Sequence, residues 1–228
     1  MISIKNLSVK FGNFRVLTNV NMDFQNKKVH GILGLNGAGK TTFFNVLAKT
    51  LRPDNGEIYL DAAPIVIKNT AYLETVNYFY PGITGKEYLK IFHLTNLDFN
   101  LDLLQQYFKL PLDELIENYS TGMKKKLALL AVLKLDRPIF ILDEPFNGLD
   151  LEINKILEII IEILRQKGKT VFVSSHIIEP LITVSDEIHL LENQIFRKTF
   201  GKKEFNSIEN EIFGKLKLEA KGIISKAV

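Results

Sequence analysis

The chain has 228 residues, 46% of them hydrophobic and 24% charged, with a formal net charge of +3. This is ordinary globular material, long enough for one large core or a core with a smaller lobe, and its positive excess is too small to argue for a nucleic-acid partner. There is no cysteine, which excludes disulfides, thiolate metal sites and thiol chemistry and suits a reducing compartment.

The opening MISIKNLSVKF alternates apolar and polar residues without a continuous apolar stretch, so it reads as a strand and not as a signal peptide. Ile2, Ile4, Leu7, Val9 and Phe11, then Val20, Met22 and Phe24, form two period-2 stretches, predicted strands of an antiparallel sheet. VHGILGL, residues 29–35, is a short apolar strand, with a helix expected near Lys40. PDNG at 53–56 is a turn signal before EIYL, a hairpin strand. From Thr84 the pattern turns helical: Thr84 and Glu87 have capping-box spacing, and YLKIFHL, LLQQYF and DELIENY can each present an apolar face.

In YSTGMKKKL, residues 119–127, Ser120 is a good N-cap, and the LALLAVL that follows is apolar on every face, as a buried helix is. The three lysines fall in the first two turns, where they oppose the helix dipole by roughly 0.3–1 kcal/mol per charge. Either they form a solvated rim or the helix end meets an external anion. PIFILDEP, residues 138–145, is a buried parallel-type strand, Leu151 to Arg165 an amphipathic helix stopped near Gly168, and TVFVSSH another buried strand. ILEIIIEIL, residues 156–164, is interrupted by Glu158 and Glu162 and falls well short of the ~20 apolar residues that cross a bilayer. Strand, helix, strand in this order implies a βαβ core in a single domain over residues 1–228, with a helical lobe of about residues 76–135 inserted into it. Residues 197–228 interleave seven Lys and Arg197 with four Glu, a solvated surface.

Gly34-Leu-Asn-Gly-Ala-Gly-Lys40-Thr41 fits G-x-x-x-x-G-K-[ST] after an apolar strand and before a helix. Its glycines let the backbone curl so that N–H groups point at phosphate oxygens; Lys40 would reach the β and γ phosphates and the Thr41 hydroxyl would help hold Mg²⁺. FILDE, residues 140–144, places Asp143 at the end of a buried strand, where it can hold Mg²⁺ through its hydration shell. Glu144 follows as a spare carboxylate that can position or deprotonate water.

These motifs together resemble the ATP-binding cassette ATPases over about residues 2–196. GLNGAGKTT is similar to the Walker A loop, YSTGM to the signature loop usually written LSGGQ, and FILDEP to Walker B with its catalytic Glu144. NGLD, residues 147–150, is similar to the D-loop, and His176 to the switch histidine. The resemblance implies an α/β P-loop NTPase core with a mixed parallel sheet, an N-terminal antiparallel β subdomain and an inserted helical subdomain. It implies that Asn36, Gly37, Ala38, Gly39, Lys40, Thr41 and Thr42 surround the phosphates of ATP, with Phe11 on the adenine and Val16 nearby. A core aromatic at a strand end is the alternative for Phe11. In the family two subunits face head to tail, so Ser120, Thr121 and Gly122, with Asp150, are expected at the nucleotide of a second subunit, with the lysines mostly in water on the rim. Where the family has a glutamine reaching Mg²⁺ and the nucleophilic water, this chain has Thr75, preceded by Glu74; Glu74 or a water is expected to substitute.

The function implied is an ATP-binding and ATP-hydrolysing subunit whose dimerisation drives a separate transmembrane permease, docked at the helical lobe and the loop near residues 74–82. That places the chain in the cytoplasm, on the inner face of the cell membrane, with ATP and Mg²⁺ as cofactors and no nucleic acid. The spelling YSTGMKKKL is similar to the YSxGMKxKL form of export-type cassettes and points to export. Two other readings are a soluble cassette ATPase acting on nucleic acid or ribosomes, which usually has two cassettes or a long coiled-coil insertion, and a low-turnover ATP-binding regulatory module, against which Glu144 argues. His30, His93 and His189 have no motif around them and no paired spacing for zinc, and are read as structural or surface residues.

Overall fold

The computed structural model describes residues 1–92, 99–212, 214, 220 and 224. In chain order the strands and α-helices are β1 (Ile2–Phe11), β2 (Phe14–Phe24), β3 (Val29–Leu33), α1 (Lys40–Leu47), β4 (Asn55–Leu60), β5 (Ala63–Pro64), β6 (Thr70–Leu73), α2 (Gly85–Ile91) and α3 (Leu101–Phe108). They continue with α4 (Thr121–Leu133), β7 (Ile139–Leu142), α5 (Leu151–Gln166), β8 (Thr170–Ser175), α6 (Ile178–Val184), β9 (Glu187–Glu192) and β10 (Ile195–Gly201). One sheet is antiparallel, in the order β2-β1-β4-β5; the other runs β10-β9-β3-β8-β7-β6, parallel except for β10.

The apolar residues of β1 at positions 2, 4, 7 and 9 change parity between Ile4 and Leu7, which a regular strand cannot bury on one face. A bulge resolves this: the register with β2 shifts between Ile4 and Leu7, that with β4 between Lys5 and Ser8, and Asn6 takes a φ of 52°. Gly56 of β4 packs onto the bulge, where a Cβ would stand 2.4 Å from the Lys5 carbonyl oxygen. Ile2, Ile4, Leu7 and Val9 are all buried as a result. Phe11 is not: it lies opposite Phe14 across the Gly12-Asn13 turn and is 54% exposed, so it is no core aromatic.

The strands β3, β7 and β8 are apolar on both faces because both are covered. On one side Ile32, Ile139, Ile141 and Phe172 meet α1 and the antiparallel sheet; on the other Leu33, Phe140, Leu142 and Val173 meet α4, α5 and α6. This three-layer packing carries the ends of β3 and β7 to one edge, where the loops described below emerge. DELIENY is not a helix. It makes one 3₁₀ turn, Ile116–Asn118, because its backbone is engaged across the chain: Gly85 N–H donates to Glu114 O at 3.2 Å, and Ile116 N–H to Ile83 O at 3.0 Å. Of the predicted helix YLKIFHL, residues as far as Ile91 are helical, and His93 and Leu94 lie outside the described residues.

Candidate functional site

The loop from Gly34 to Gly39 joins β3 to α1. Gly37 and Gly39 hold φ of 82° and 104°, and a Cβ on Gly34 would come within 2.7 Å of Leu191 O, so glycine is required by conformation at two positions and by close approach at the third. Lys40 is buried; its ammonium donates back to Gly34 O at 2.7 Å and lies 3.2 Å from Glu144 Oε1. That approach is ionic and lacks hydrogen-bond geometry, and Oε1 has no hydrogen-bond partner among the described residues.

Asp143, at the end of β7, is fully buried. Its Oδ2 accepts the Thr41 hydroxyl at 2.6 Å and its Oδ1 the Ser174 hydroxyl at 2.5 Å, while Ser174 Oγ accepts Glu144 N–H at 2.8 Å. Glu144 follows at a φ of 48°. Its Oε2 lies 3.1 Å from His176 Nδ1 and accepts the Asn147 amide at 3.2 Å, so one carboxylate oxygen is held and the other remains open to a new partner. Ser174, which β8 brings to Asp143, carries no motif that marks it in the sequence.

Two cavities adjoin along the loop. One of about 330 Å³ is lined by Val16, residues 36–42, Thr75 and Glu144. The other, about 340 Å³, shares Val16 and residues 36–38 with it and adds Phe14 and His176. Phe14, not Phe11, is the aromatic that lines this space; the two face each other across a two-residue turn, so only the placement of the turn distinguishes them.

Ser120, Thr121, Gly122 and Asp150 line neither cavity. Ser120 and Thr121 are exposed at the start of α4, where Ser120 Oγ accepts Met123 N–H at 3.2 Å. Asp150 caps α5 by accepting Ile153 N–H at 2.9 Å; that hydrogen bond, with Lys126 beside it, holds its carboxyl below the usual carboxylate range. The two loops touch each other, since a Cβ on Gly122 would lie 3.3 Å from Gly148 O. The lysines do not share one fate. Lys126 reaches Asp150 at 3.6 Å, but Lys125 is buried and donates to Glu144 O at 2.6 Å and Asn147 O at 2.7 Å. Burial pulls its ammonium down to about 8 against the attraction of Glu144 and Asp143.

The family profile described as ABC transporter matches residues 17–147. The chain belongs to the ABC transporter family. It is 26% identical over 239 residues to the bacitracin transport ATP-binding protein BcrA of Enterococcus faecalis, covering 95% of this chain and 77% of that one. It is 31% identical over 218 residues to the putative ABC transporter ATP-binding protein AlbC of Bacillus subtilis (strain 168), covering 87% and 90%. Among solved structures, a dimeric post-hydrolysis state of the ATP-binding cassette MJ0796 bound to ADP and Pi aligns with a TM-score of 0.75 at 21% identity, covering 89% and 99%. The two halves of the expected fold, an antiparallel sheet and a mixed sheet behind the loop at Gly34, are those of an ABC ATPase cassette.

In this ABC transporter chain Thr75 is exposed, lines the loop cavity and has its hydroxyl 3.5 Å from Asp143 O. The neighbouring Glu74, though largely solvent-accessible, has its pKa raised by desolvation and by the charge of Asp143.

Two of the unassigned histidines of this ABC transporter protein meet, although 159 residues separate them: His30 Nδ1 and His189 Nε2 are 3.0 Å apart. A carbonyl can only accept, so His30 Nε2–H donates to Gln25 O at 2.8 Å, Nδ1 accepts from His189, and His189 Nδ1 accepts from Thr199 at 2.9 Å. Glu187 Oε2 lies 3.6 Å from His30 Nδ1, and Lys28 donates to the other carboxylate oxygen at 2.7 Å. Burial pushes His189 down to about 3 and also lowers His30. Both are shifted below the unfolded value of about 6.5, so the unfolded chain takes up protons the folded one refuses; the stability His189 contributes above pH 6.5 is lost as the pH falls from there towards about 3, and His30 acts in the same direction. Melting temperatures between pH 7.5 and 5 are expected to drop more steeply in the native chain than in His189→Gln; parallel slopes would contradict this.

Proposed function

We propose that this chain is the ATP-hydrolysing subunit of an exporter, one of two cassettes that close head to tail around ATP and drive a separate membrane-spanning permease. The observation that carries this reading is the division of the site. Lys40, Thr41, Asp143, Glu144 and His176 converge around the loop cavities, whereas Ser120, Thr121 and Gly122 lie outside them and exposed or half-buried. One chain holds and hydrolyses; the donors that complete the γ-phosphate shell come from a second.

The residues fit a magnesium nucleotide. Among the described residues Gly37 has open space where a side chain would stand, Lys40 is a buried cation, and Glu144 Oε1 has no hydrogen-bond donor. Thr41 and Asp143 would hold Mg²⁺, with Thr75 at the edge, and the ion would neutralise charge on the β and γ phosphate oxygens. Lys40 then exchanges Glu144 for phosphate, and the backbone N–H groups of residues 37–41 orient the chain of phosphates. Glu144, held at Oε2 by His176 and Asn147, takes the proton of the attacking water at Oε1. Val16 and Phe14 flank the adenine from the adjoining cavity, with Phe11 at the hairpin tip.

The permease docks against the loop near residues 74–82, where Val76, Tyr78 and Tyr80 are 83%, 70% and 54% exposed. Among the described residues no helix is long and apolar enough to cross a membrane. We assign the pathway to the permease and this chain to the cytoplasmic face of the membrane, without nucleic acid. The bacitracin transport named for the Enterococcus faecalis relative supports a transport motor, and the YSTGM spelling supports export. In the MJ0796 cassette dimerisation accompanies bound ADP and Pi, which supports two cassettes per motor. A site built from two chains predicts that ATP hydrolysed per subunit rises with protein concentration over the range in which monomers pair. A specific activity independent of concentration down to the monomer contradicts it.

A further inference from the structure

Lys125 is a buried cation with no place in the reading above. The first turns of α4 present Gly122 and Lys125 on one face by their spacing of three, and that face packs on the turn from Glu144 to Gly148. Gly122 permits the approach, since a Cβ there would stand 3.3 Å from Gly148 O. Lys125 completes it, donating to both Glu144 O at 2.6 Å and Asn147 O at 2.7 Å. The turn is left-handed at both ends, with φ of 48° at Glu144 and 75° at Gly148. A non-glycine residue keeps such a backbone only when its surroundings enforce it. An aliphatic side chain would bury at this position at far less cost than an ammonium, so packing alone does not select lysine.

We propose that Lys125 is a positioning residue through which the signature helix sets the orientation of Glu144. Resting on the two-cassette reading, this gives α4 two contacts: its exposed start with the partner's nucleotide, and Lys125 with the turn that carries its own chain's base. A shift of α4 when the cassettes close is passed through one ammonium to two carbonyls. The same turn holds the Glu144 side chain through Asn147, so moving its backbone re-aims the carboxylate.

Hydrogen exchange on the full-length chain, with and without a non-hydrolysable ATP analogue and Mg²⁺, tests the link, alongside kcat and KM for ATP. In the native chain residues 34–42, 119–127 and 143–150 are expected to gain protection together. In Lys125→Met the first two keep their response and 143–150 loses it, kcat falls about tenfold or more with KM unchanged, and Lys125→Arg, which keeps charge and donors, restores both. If Lys125→Met does not fold, Lys125→Ala, which also removes both donors and leaves room for water, carries the same expectation. Protection at 34–42 without protection at 143–150 in the native chain, an unaltered 143–150 response in the variant, or kcat and KM changing together without rescue by arginine each overturns the inference alone. No protection at 34–42 in the native chain overturns the nucleotide reading and the inference with it.

Discussion

Glu144→Gln is expected to lower ATP turnover by about 10² to 10⁴, the range for removing a general base, while ATP remains bound. Glutamine is nearly isosteric and can keep a contact with His176, which lies 3.1 Å from the carboxylate, and with Asn147 at 3.2 Å. What it cannot do is accept a proton from water. The fold is not at risk, because the backbone of the turn is held by Ser174 and Lys125 and not by the carboxylate. Steady-state phosphate release together with an equilibrium binding titration separates the two effects. Loss of binding in parallel with turnover would place Glu144 in nucleotide affinity and remove it from the chemistry.

Lys40→Met acts on the other quantity. A charge-assisted hydrogen bond contributes about 1.5–3 kcal/mol, and an ammonium reaching two phosphate groups makes at least one, so ATP affinity is expected to fall by about tenfold to more than a hundredfold. The variant also leaves Glu144 Oε1 buried without the cation 3.2 Å away, and Gly34 O without its donor at 2.7 Å. A lowered melting temperature should therefore accompany the loss of affinity. Titration with a fluorescent ATP analogue measures the first and thermal unfolding the second. Affinity within a factor of about two of the native chain would contradict the role of Lys40, since a single charge-assisted bond exceeds that.

The contiguous parts of the site were readable because their chemistry is local. The loop at Gly34 and the strand ending in Asp143 declare themselves within eight residues each, and the helix starts at Lys40 and Ser120 follow from glycine and N-cap rules. What required the fold is whatever pairs across the chain. Ser174 is one serine after an apolar run until β8 brings it to Asp143. His30 and His189 become partners only because β3 and β9 are neighbours. The three lysines are equivalent as letters, and which one turns inward depends on what packs on the Gly122 face. Phe11 shares the parity of Leu7 and Val9, yet the hairpin ends there and leaves it exposed. β6 and β10 are hard to read from the sequence: β6 has four residues, too few to show a period, and the alternation of β10 follows a hairpin turn with no Gly or Pro to mark it. DELIENY has the apolar spacing of a helix, but its backbone is committed to residues 83–86.

The central claim, that two copies of this site close around ATP, is tested most directly by light scattering on the purified Glu144→Gln chain with and without MgATP. A monomer without nucleotide that doubles in mass only when MgATP is added is the predicted result. A protein that binds MgATP yet keeps the mass of one chain at every concentration would contradict it.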